Sequence, residues 1–290
     1  MFTLSEKEIK KLLPKRIPDS NKGTYGHALC LCGSMKMTGA CYLSVSAALR
    51  TGAGLVTAGF PCAAYPALAP KFAEALMLPL KSNSDGTFSF EASEEIGVAL
   101  KKATSVLIGC GMGNNDDTAK FTLDVIKKSS TPLVIDADGL NVISGNPAVI
   151  KEAHCPVIVT PHPGEMSRLT GKSIEEILDN PVKTAQEFSQ NYGCVTVLKI
   201  HNTVVSDEKG ERIYINKTGN SGLSKGGSGD LLAGITVSLS AQGMSPFDSA
   251  VSGVFIHGGC ADEVAQELSE RGMLPSDVLN HLPLYLAKFE

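Results

Sequence analysis

The stretch 224–234 places three glycines and one aspartate directly ahead of an apolar, helix-like run. Glycines at the start of a helix leave backbone N–H groups unpaired at the positive end of the helix dipole, and such groups bind anions. A nest of these amides would hold phosphate oxygens or a developing negative charge. Asp230 falls in the first turn, where an aspartate either caps the helix or takes a proton from a hydroxyl. In-line phosphoryl transfer requires such a base beside held phosphate oxygens.

Four other loops rich in glycine or polar side chains follow predicted strands. They are GSMKMTGA (33–40), GCGMGNND (109–116), DADGLN (136–141) and TPHPGE (160–165). In open α/β sheets ligands bind beyond the carboxyl ends of the strands, so these loops and residues 216–230 should meet at one edge of the sheet. The glycines of GCGMGNN miss the spacing of the dinucleotide fingerprint by one residue, and they serve either ligand approach or helix packing.

Three side chains in these loops are candidates for ligand contact. His162 lies between two prolines just past a strand, which makes it rigid and exposed. Asp136 and Asp138 end another strand and could hold water or Mg²⁺ near phosphates, although Asp138 could equally cap the following turn. The remaining histidines have no spacing that indicates zinc ligands, and no metal ligated by the protein alone is predicted.

Short apolar runs alternate with helical patterns through most of the chain. Seven runs lack in/out alternation, which is typical of strands buried on both faces of a parallel sheet. The stretch 203–216 has two further runs on either side of the turn signal DEKG and predicts a hairpin. Two predicted helices follow Gly229. The predicted fold class is α/β, a central, mostly parallel sheet flanked by helices on both faces, in one domain over residues 1–290. The strand runs are 27–33, 54–60, 74–80, 105–111, 132–139, 156–164 and 194–200, and the helices or helix pairs between them are 40–52, 91–103, 118–129 and 173–193.

Composition limits the function classes. The chain has 290 residues, 43% apolar and 19% charged, with a formal net charge of -4. This charge gives no electrostatic footprint for nucleic acid. The first residues lack the apolar run of a signal peptide, and no apolar stretch reaches membrane-spanning length. None of the eight cysteines forms a C-x-x-C pair, so we interpret them as reduced thiols and expect a cytoplasmic protein without membrane contact.

Taken together, the motifs resemble one family. TGA…AALRTGAGLV, GCGMG, DADGLN, TPHPGE and TGNSGLSKGGSGDLLAG occur in the order seen in NAD(P)H-hydrate dehydratases, the carbohydrate-kinase-like members of the ribokinase superfamily. The resemblance runs from about Lys22 to the last helices. It implies a ribokinase-like fold and an enzyme that repairs NADH or NADPH hydrated across the nicotinamide ring, in the S epimer. ADP or ATP would phosphorylate the hydroxyl, with Mg²⁺ expected, and phosphate would then be eliminated.

The resemblance also implies roles for individual residues. Asp230 matches the catalytic base, and Gly227 and Gly229 match catalytic glycines of the anion hole. The positions that match binding of the hydrated cofactor are Ala40, Gly111, His162 and Asp230. The positions that match nucleotide binding are Lys199, Ile200, His201, Asn202, Thr203, Asn220, Ser221, Gly222, Leu223, Ser224, Lys225, Gly226, Gly227, Ser228 and Gly229.

Three residues depart from the family pattern. Ile200 and His201 stand where the family usually has glycine and a small residue, which makes close backbone approach to the nucleotide less easy, whereas Thr203 keeps its position. Lys225 stands where many relatives carry threonine, and its charge would either lie near phosphate or be solvated.

Two other functions would use the same glycines. A ribokinase-like kinase of a small alcohol, of the hydroxymethylpyrimidine or thiazole type, would share Asp230 but stop at the phosphorylated product. A nucleotide-binding sensor without turnover would not need Asp230. The resemblance favours the dehydratase. It implies a homo-oligomer, often a tetramer, and a separate epimerase as pathway partner, because no fused epimerase domain is expected ahead of Lys22. The sequence does not distinguish ADP from ATP as the nucleotide, or NADH hydrate from NADPH hydrate as the substrate.

Overall fold

A single nine-stranded sheet organises the chain, and the computed structural model describes all residues from 1 to 290. The strands are β1 (His27–Leu31), β2 (Leu55–Pro61), β3 (Leu76–Leu80), β4 (Ser105–Ile108), β5 (Leu133–Ile135), β6 (Val157–Val159), β7 (Val195–Leu198), β8 (Val204–Ser206) and β9 (Ile213–Ile215). Their order across the sheet is β3-β2-β1-β4-β5-β6-β7-β8-β9. All pairs from β3 to β7 are parallel, and only β7–β8 and β8–β9 are antiparallel.

Thirteen α-helices connect and cover the strands. They are α1 (Glu6–Leu12), α2 (Thr38–Thr51), α3 (Tyr65–Leu68), α4 (Ala92–Glu95), α5 (Gly97–Lys102), α6 (Asp116–Lys128), α7 (Asp138–Ile143), α8 (Pro163–Thr170), α9 (Ile174–Asp179), α10 (Pro181–Tyr192), α11 (Ser228–Ala241), α12 (Pro246–Gly272) and α13 (Pro275–Leu286). The predicted α/β class with a mostly parallel sheet is therefore confirmed, and the hairpin predicted around DEKG is formed by β8 and β9.

Two of the four predicted helical stretches are helix pairs in the structure. The stretch 91–103 forms α4 and α5, and the stretch 173–193 forms α9 and α10. The second break has a clear cause in Pro181, which lacks an amide hydrogen and disfavours a helical conformation at the preceding residue. Asn180 accordingly has φ −134° and ψ 57°, outside the helical region.

The central strands carry unbroken apolar runs because each face of the sheet has its own core. In β1, Ala28 and Cys30 belong to the core on one face, whereas Leu29 and Leu31 belong to the core on the other. Successive strand residues point to opposite faces, so a strand covered on both sides must be apolar at every position. The first core is completed mainly by α2, α11, α12 and α13, and the second by helices α5 to α10.

Helix α11 is buried on nearly all sides. It lies between α2 and α12 and rests on β1 and β4, and all its residues from Leu231 to Ala241 are buried. A helix that is apolar all round is expected in such a position. Because α11 is fixed in this way, its first turn is held rigidly at the carboxyl edge of the sheet.

Gly234 allows the close crossing of α11 and α2. A Cβ at Gly234 would lie 2.2 Å from the carbonyl oxygen of Ser44 and 2.8 Å from the Cβ of Ala47. We expect Gly234→Ala to lower the free energy of unfolding by about 2–3 kcal/mol because the helices must move apart. Urea unfolding measures this change, with Gly145→Ala as control, since no atom lies within 4 Å of the added methyl group. Equal unfolding free energies for the two variants would contradict the packing argument.

The cysteines are thiols, as predicted. All eight are unpaired, and six of them are buried. Burial raises the pKa of the Cys32 thiol to about 12, so this group is neutral and packs as a small apolar side chain. No helix in the structure combines the length and apolar character that crossing a bilayer would demand.

Candidate active site

A cavity of about 790 Å³ opens at the carboxyl edge of the sheet. The residues with predicted roles that line it are His162, Lys199, Ile200, His201, Thr203, Asn220, Ser221, Leu223, Ser224, Lys225, Gly226, Gly227, Ser228, Gly229 and Asp230. Asn202, Gly222, Ala40 and Gly111 do not line it. Ala40 and Gly111 instead contact each other, because a Cβ on Gly111 would lie 2.6 Å from the Cβ of Ala40.

The glycines before α11 shape the wall of this cavity. Gly227 precedes the helix with φ 100°, a left-handed conformation that favours glycine, and a Cβ there would lie 2.6 Å from Leu43 Cδ1. A Cβ on Gly229 would lie 3.5 Å from Lys199 Nζ and 3.6 Å from Asp136 Oδ2, so it would narrow the space between the amides and these charged groups. The hydroxyl of Ser228 is buried without a hydrogen-bond partner. These features leave the first amides of α11 accessible to an anion.

Asp230 lies in the first turn of α11 and lines the cavity. Its carboxylate makes no capping hydrogen bond, so Asp230 does not cap the helix with its side chain. Burial, together with the negative charge of Asp136, raises the pKa of Asp230 to about 6. A carboxylate with this pKa is ionised at neutral pH and still holds a proton well, which suits a general base.

One buried cation neutralises the carboxylates beside Asp230. Lys199 Nζ lies 2.6 Å from Asp136 Oδ1 and 3.7 Å from Glu165 Oε2. Asp136 also accepts a hydrogen bond from Thr160 Oγ1 at 2.7 Å. Burial alone would lower the pKa of Lys199, but the two carboxylates raise it above its usual value. Burial raises the pKa of Glu165 to about 7, against the opposing charge of Lys199.

His162 caps α8 with its own side chain. Its Nδ1 accepts hydrogen bonds from the amides of Gly164 at 3.0 Å and Glu165 at 3.3 Å. Burial and the positive charge of Lys199 lower the pKa of His162, so the ring is neutral. Because Nδ1 is an acceptor, the ring proton must reside on Nε2, which lies 3.4 Å from Glu165 Oε1 on a half-exposed side chain.

Asp138 and Lys225, whose roles the sequence left open, both have defined hydrogen-bond partners. Asp138 accepts hydrogen bonds from the Gly113 amide at 2.8 Å and from Asn141 Nδ2 at 3.3 Å, so it joins the loop 109–116 to α7 and accepts from no backbone amide of its own turn. Lys225 lines the cavity and also contacts the end of α12. Its Nζ donates hydrogen bonds to the carbonyl oxygens of Arg271 at 2.9 Å and Glu270 at 3.3 Å, in the last turn of α12.

Ile200 does not obstruct the cavity. Its side chain packs against the second core, and Thr203 Oγ1 donates to its carbonyl oxygen at 3.1 Å. The replacement of the usual glycine therefore places an apolar side chain towards the protein interior. His201 is exposed.

Sequence reasoning missed the part of the lining that comes from the buried helices α11 and α12. Val254, His257 and Gly258 share one face of α12, as their spacing of three and four residues requires. That spacing was readable, but an apolar helix face normally signals core packing, and no sequence signal shows that this one borders a cavity. The lining residues outside the predicted loops are Leu232, Val254, His257 and Gly258.

The raised pKa of Asp230 predicts that this residue destabilises the fold at neutral pH. The folded protein retains its proton up to about pH 6, whereas the ordinary pKa is 3.8, so stability falls as pH rises through this window. We expect Asp230→Asn to raise the free energy of unfolding by on the order of 2 kcal/mol at pH 8 and by about half as much at pH 5. Urea titrations at both pH values measure the difference. A variant less stable than the wild type at pH 8 would contradict the prediction.

Comparisons with known proteins agree on one family. A family model described as NAD(P)H-hydrate dehydratase matches residues 28–284. The ADP-dependent (S)-NAD(P)H-hydrate dehydratase of Bacillus subtilis is 30% identical over 99% of this chain and 98% of that protein. The bifunctional NAD(P)H-hydrate repair enzyme Nnr of Moorella thermoacetica is 36% identical over 96% of this chain but 52% of its own length, so the chain spans about half of that relative.

A solved structure is also similar over the full length. It is the crystal structure of the ADP/ATP-dependent NAD(P)H-hydrate dehydratase from Bacillus subtilis, co-crystallized with ATP/Mg²⁺. The TM-score is 0.84 at 30% sequence identity, and the match covers 99% of this chain and 98% of the other. With this agreement in sequence and fold, the chain belongs to the NAD(P)H-hydrate dehydratase family.

Proposed function

We propose that this protein is a nucleotide-dependent dehydratase, a hydro-lyase, that restores NADH or NADPH from the S epimer of their hydrates. The hydroxyl of the hydrate is phosphorylated and then eliminated as phosphate, and with ADP the products are NAD(P)H, AMP and phosphate. The observation that carries the proposal is the position of Asp230, whose raised pKa suits a base, beside the accessible amides of Gly227 and Gly229 in one cavity. The names of the relatives support the same reaction.

Phosphoryl transfer would use Asp230 and the amides together. The carboxylate takes the proton of the hydroxyl while the hydroxyl oxygen bonds to the terminal phosphorus and the bond from phosphorus to the leaving nucleotide oxygen breaks. Negative charge on the transferred group is stabilised by the amides of Gly227 and Gly229, which are already in place and need no reorganisation. The buried Ser228 hydroxyl has no partner within the chain and can donate to the same oxygens.

Elimination then follows from the better leaving group. Hydroxide leaves poorly and phosphate leaves well, and the lone pair of the ring nitrogen expels it as the C–O bond breaks. Loss of a proton from the neighbouring carbon restores the ring double bond. Ala40, Gly111 and His162 are proposed to hold the hydrated cofactor, and the Nε2–H of His162 supplies one hydrogen-bond donor to it.

Mg²⁺ fits the donor set that this site offers. Oxygen atoms of Asp136 and Asp230 and the Cys110 sulfur lie within 4.8 Å of one another, and carboxylate oxygens suit Mg²⁺ whereas a neutral thiol does not. Asp136 uses Oδ1 for Lys199, and its Oδ2, which accepts only a weak hydrogen bond from the Cys110 thiol at 3.7 Å, would be the oxygen available to the cation. When bound, Mg²⁺ would neutralise part of the phosphate charge.

The remaining proposals rest on the resemblance to the family. The nucleotide is proposed to bind along the segments 199–203 and 220–229. The chain is proposed to act as a single dehydratase domain in a cytoplasmic homotetramer, with a separate epimerase supplying the S epimer. The unpaired cysteines support a reducing compartment.

An assay with purified protein tests the reaction. NADH hydrate is incubated with ADP and, in parallel, with ATP, and the absorbance of reduced nicotinamide is followed. The proposal predicts that this absorbance returns in a nucleotide-dependent manner. No recovery, combined with phosphorylation of a hydroxymethylpyrimidine or thiazole alcohol, would replace the dehydratase by the kinase alternative.

A further inference from the structure

His257 on α12 is a buried polar side chain that the fold leaves unsatisfied. Only 7% of its surface is exposed, and its Nε2 has no hydrogen-bond partner. Leaving a buried nitrogen unpaired is unfavourable, and most buried polar groups in proteins have a partner. The side chain nevertheless borders the cavity of the candidate active site. A partner supplied by a bound molecule would account for both observations.

The part of the cavity wall that contains His257 is formed by α12 and by the chain after β9, whereas Asp230 belongs to α11. Val254, His257 and Gly258 present one face of α12, and the strand exit after β9 packs closely against it. Asn216 Nδ2 donates to the Val254 carbonyl at 3.3 Å. A Cβ on Gly258 would lie 2.7 Å from the carbonyl oxygen of Thr218. This wall continues directly into the segment 220–229, which is proposed to bind the nucleotide.

The charge state of His257 indicates which part of a nucleotide it fits. Burial and the nearby positive charge of Lys199 lower its pKa to about 4, so the ring is neutral at physiological pH. A neutral imidazole has one donor and one acceptor nitrogen. It therefore suits an uncharged hydroxyl or ring nitrogen, whereas a phosphate group is better held by the amides before α11.

We propose that His257 is a specificity-determining residue of the nucleotide site and hydrogen-bonds to the nucleoside part of the bound nucleotide. The inference rests on the proposed function, because it takes this cavity to be the nucleotide site. A site that pairs a buried polar group with its ligand discriminates against molecules that lack the matching group. His257 would thus raise the affinity for adenine nucleotides relative to ligands that offer only phosphate groups.

Calorimetric binding of two ligands to His257→Leu tests this role. ADP carries the nucleoside, whereas pyrophosphate carries only the phosphates. We expect the Kd for ADP to rise about tenfold, which corresponds to about 1.4 kcal/mol, and the Kd for pyrophosphate to stay within about twofold of the wild type. His257→Gln, which keeps a hydrogen-bonding group, should recover part of the ADP affinity and serves if the leucine variant does not fold.

His281→Leu is the matched control. His281 is another partly buried histidine, but it pairs with Glu263 at 2.9 Å and does not line the cavity, so ADP affinity should not change. Unchanged ADP affinity in His257→Leu, or equal losses for ADP and pyrophosphate, would overturn the inference. If the wild type repairs NADH hydrate in that case, the proposed function stands. A wild type that neither binds ADP nor repairs the hydrate would overturn both.

Discussion

Replacing Asp230 by asparagine is expected to lower kcat for hydrate repair by about a thousandfold and to leave the Kd for ADP within about twofold. The amide cannot take the proton of the hydroxyl, yet it keeps the size of the carboxylate and leaves the amides before α11 in place. Steady-state kinetics and calorimetric ADP binding measure the two quantities on the same preparation.

Asp277→Asn provides a control at the same helical position. Asp277 is the third residue of α13, as Asp230 is of α11, but its carboxylate accepts a hydrogen bond from the Leu274 amide at 2.7 Å. This variant should keep kcat and lose about 1 kcal/mol of stability through the weakened cap. If Asp230→Asn retained full activity, Asp230 would not be the base.

Replacing Lys199 by methionine is expected to lower the free energy of unfolding by about 3–5 kcal/mol at pH 8. Lys199 is the cation that pairs with the buried carboxylates of Asp136 and Glu165, and its removal leaves their charges uncompensated. Because the pKa of Glu165 is raised to about 7, that group takes up a proton at lower pH. The loss should therefore be smaller at pH 5 than at pH 8, as urea titrations can establish.

Two further variants separate the ion pair from general effects. Lys172→Met breaks an ion pair of the same 2.6 Å length between half-exposed side chains and should cost less than about 1 kcal/mol. Adding Asp136→Asn to Lys199→Met removes one unpaired charge and should recover part of the stability. Equal losses for Lys172→Met and Lys199→Met would contradict the role assigned to the buried network.

The sheet was predictable because its signal is local. A strand covered on both faces must be apolar at each position, and β1 has this pattern from Ala28 to Leu31. The glycines before α11 were readable for a similar reason, since few structural needs place three of them at a helix start. Their conformational requirement is seen at Gly227, where φ is 100°.

The contacts that set the pKa values in the site were not predictable, because they join residues far apart in the sequence. Lys199 meets Asp136 across 63 positions of sequence, and the strand order β5-β6-β7 alone brings Glu165 to the same place. Lys225 likewise donates to the carbonyl of Arg271 at the end of α12, a partner 46 positions away in the sequence. The lining face of α12 gave no sequence signal distinct from a core helix.

The product balance tests the central claim most directly. Wild-type protein is supplied with S-epimer NADH hydrate and ADP, and phosphorus NMR follows the phosphates while absorbance follows NADH. The account predicts one phosphate and one AMP for each NADH formed, and product formation that is slower by about a thousandfold when Asp230→Asn is used. A stable phosphorylated hydrate that accumulates without NADH, or NADH that forms without consumption of ADP, would contradict it.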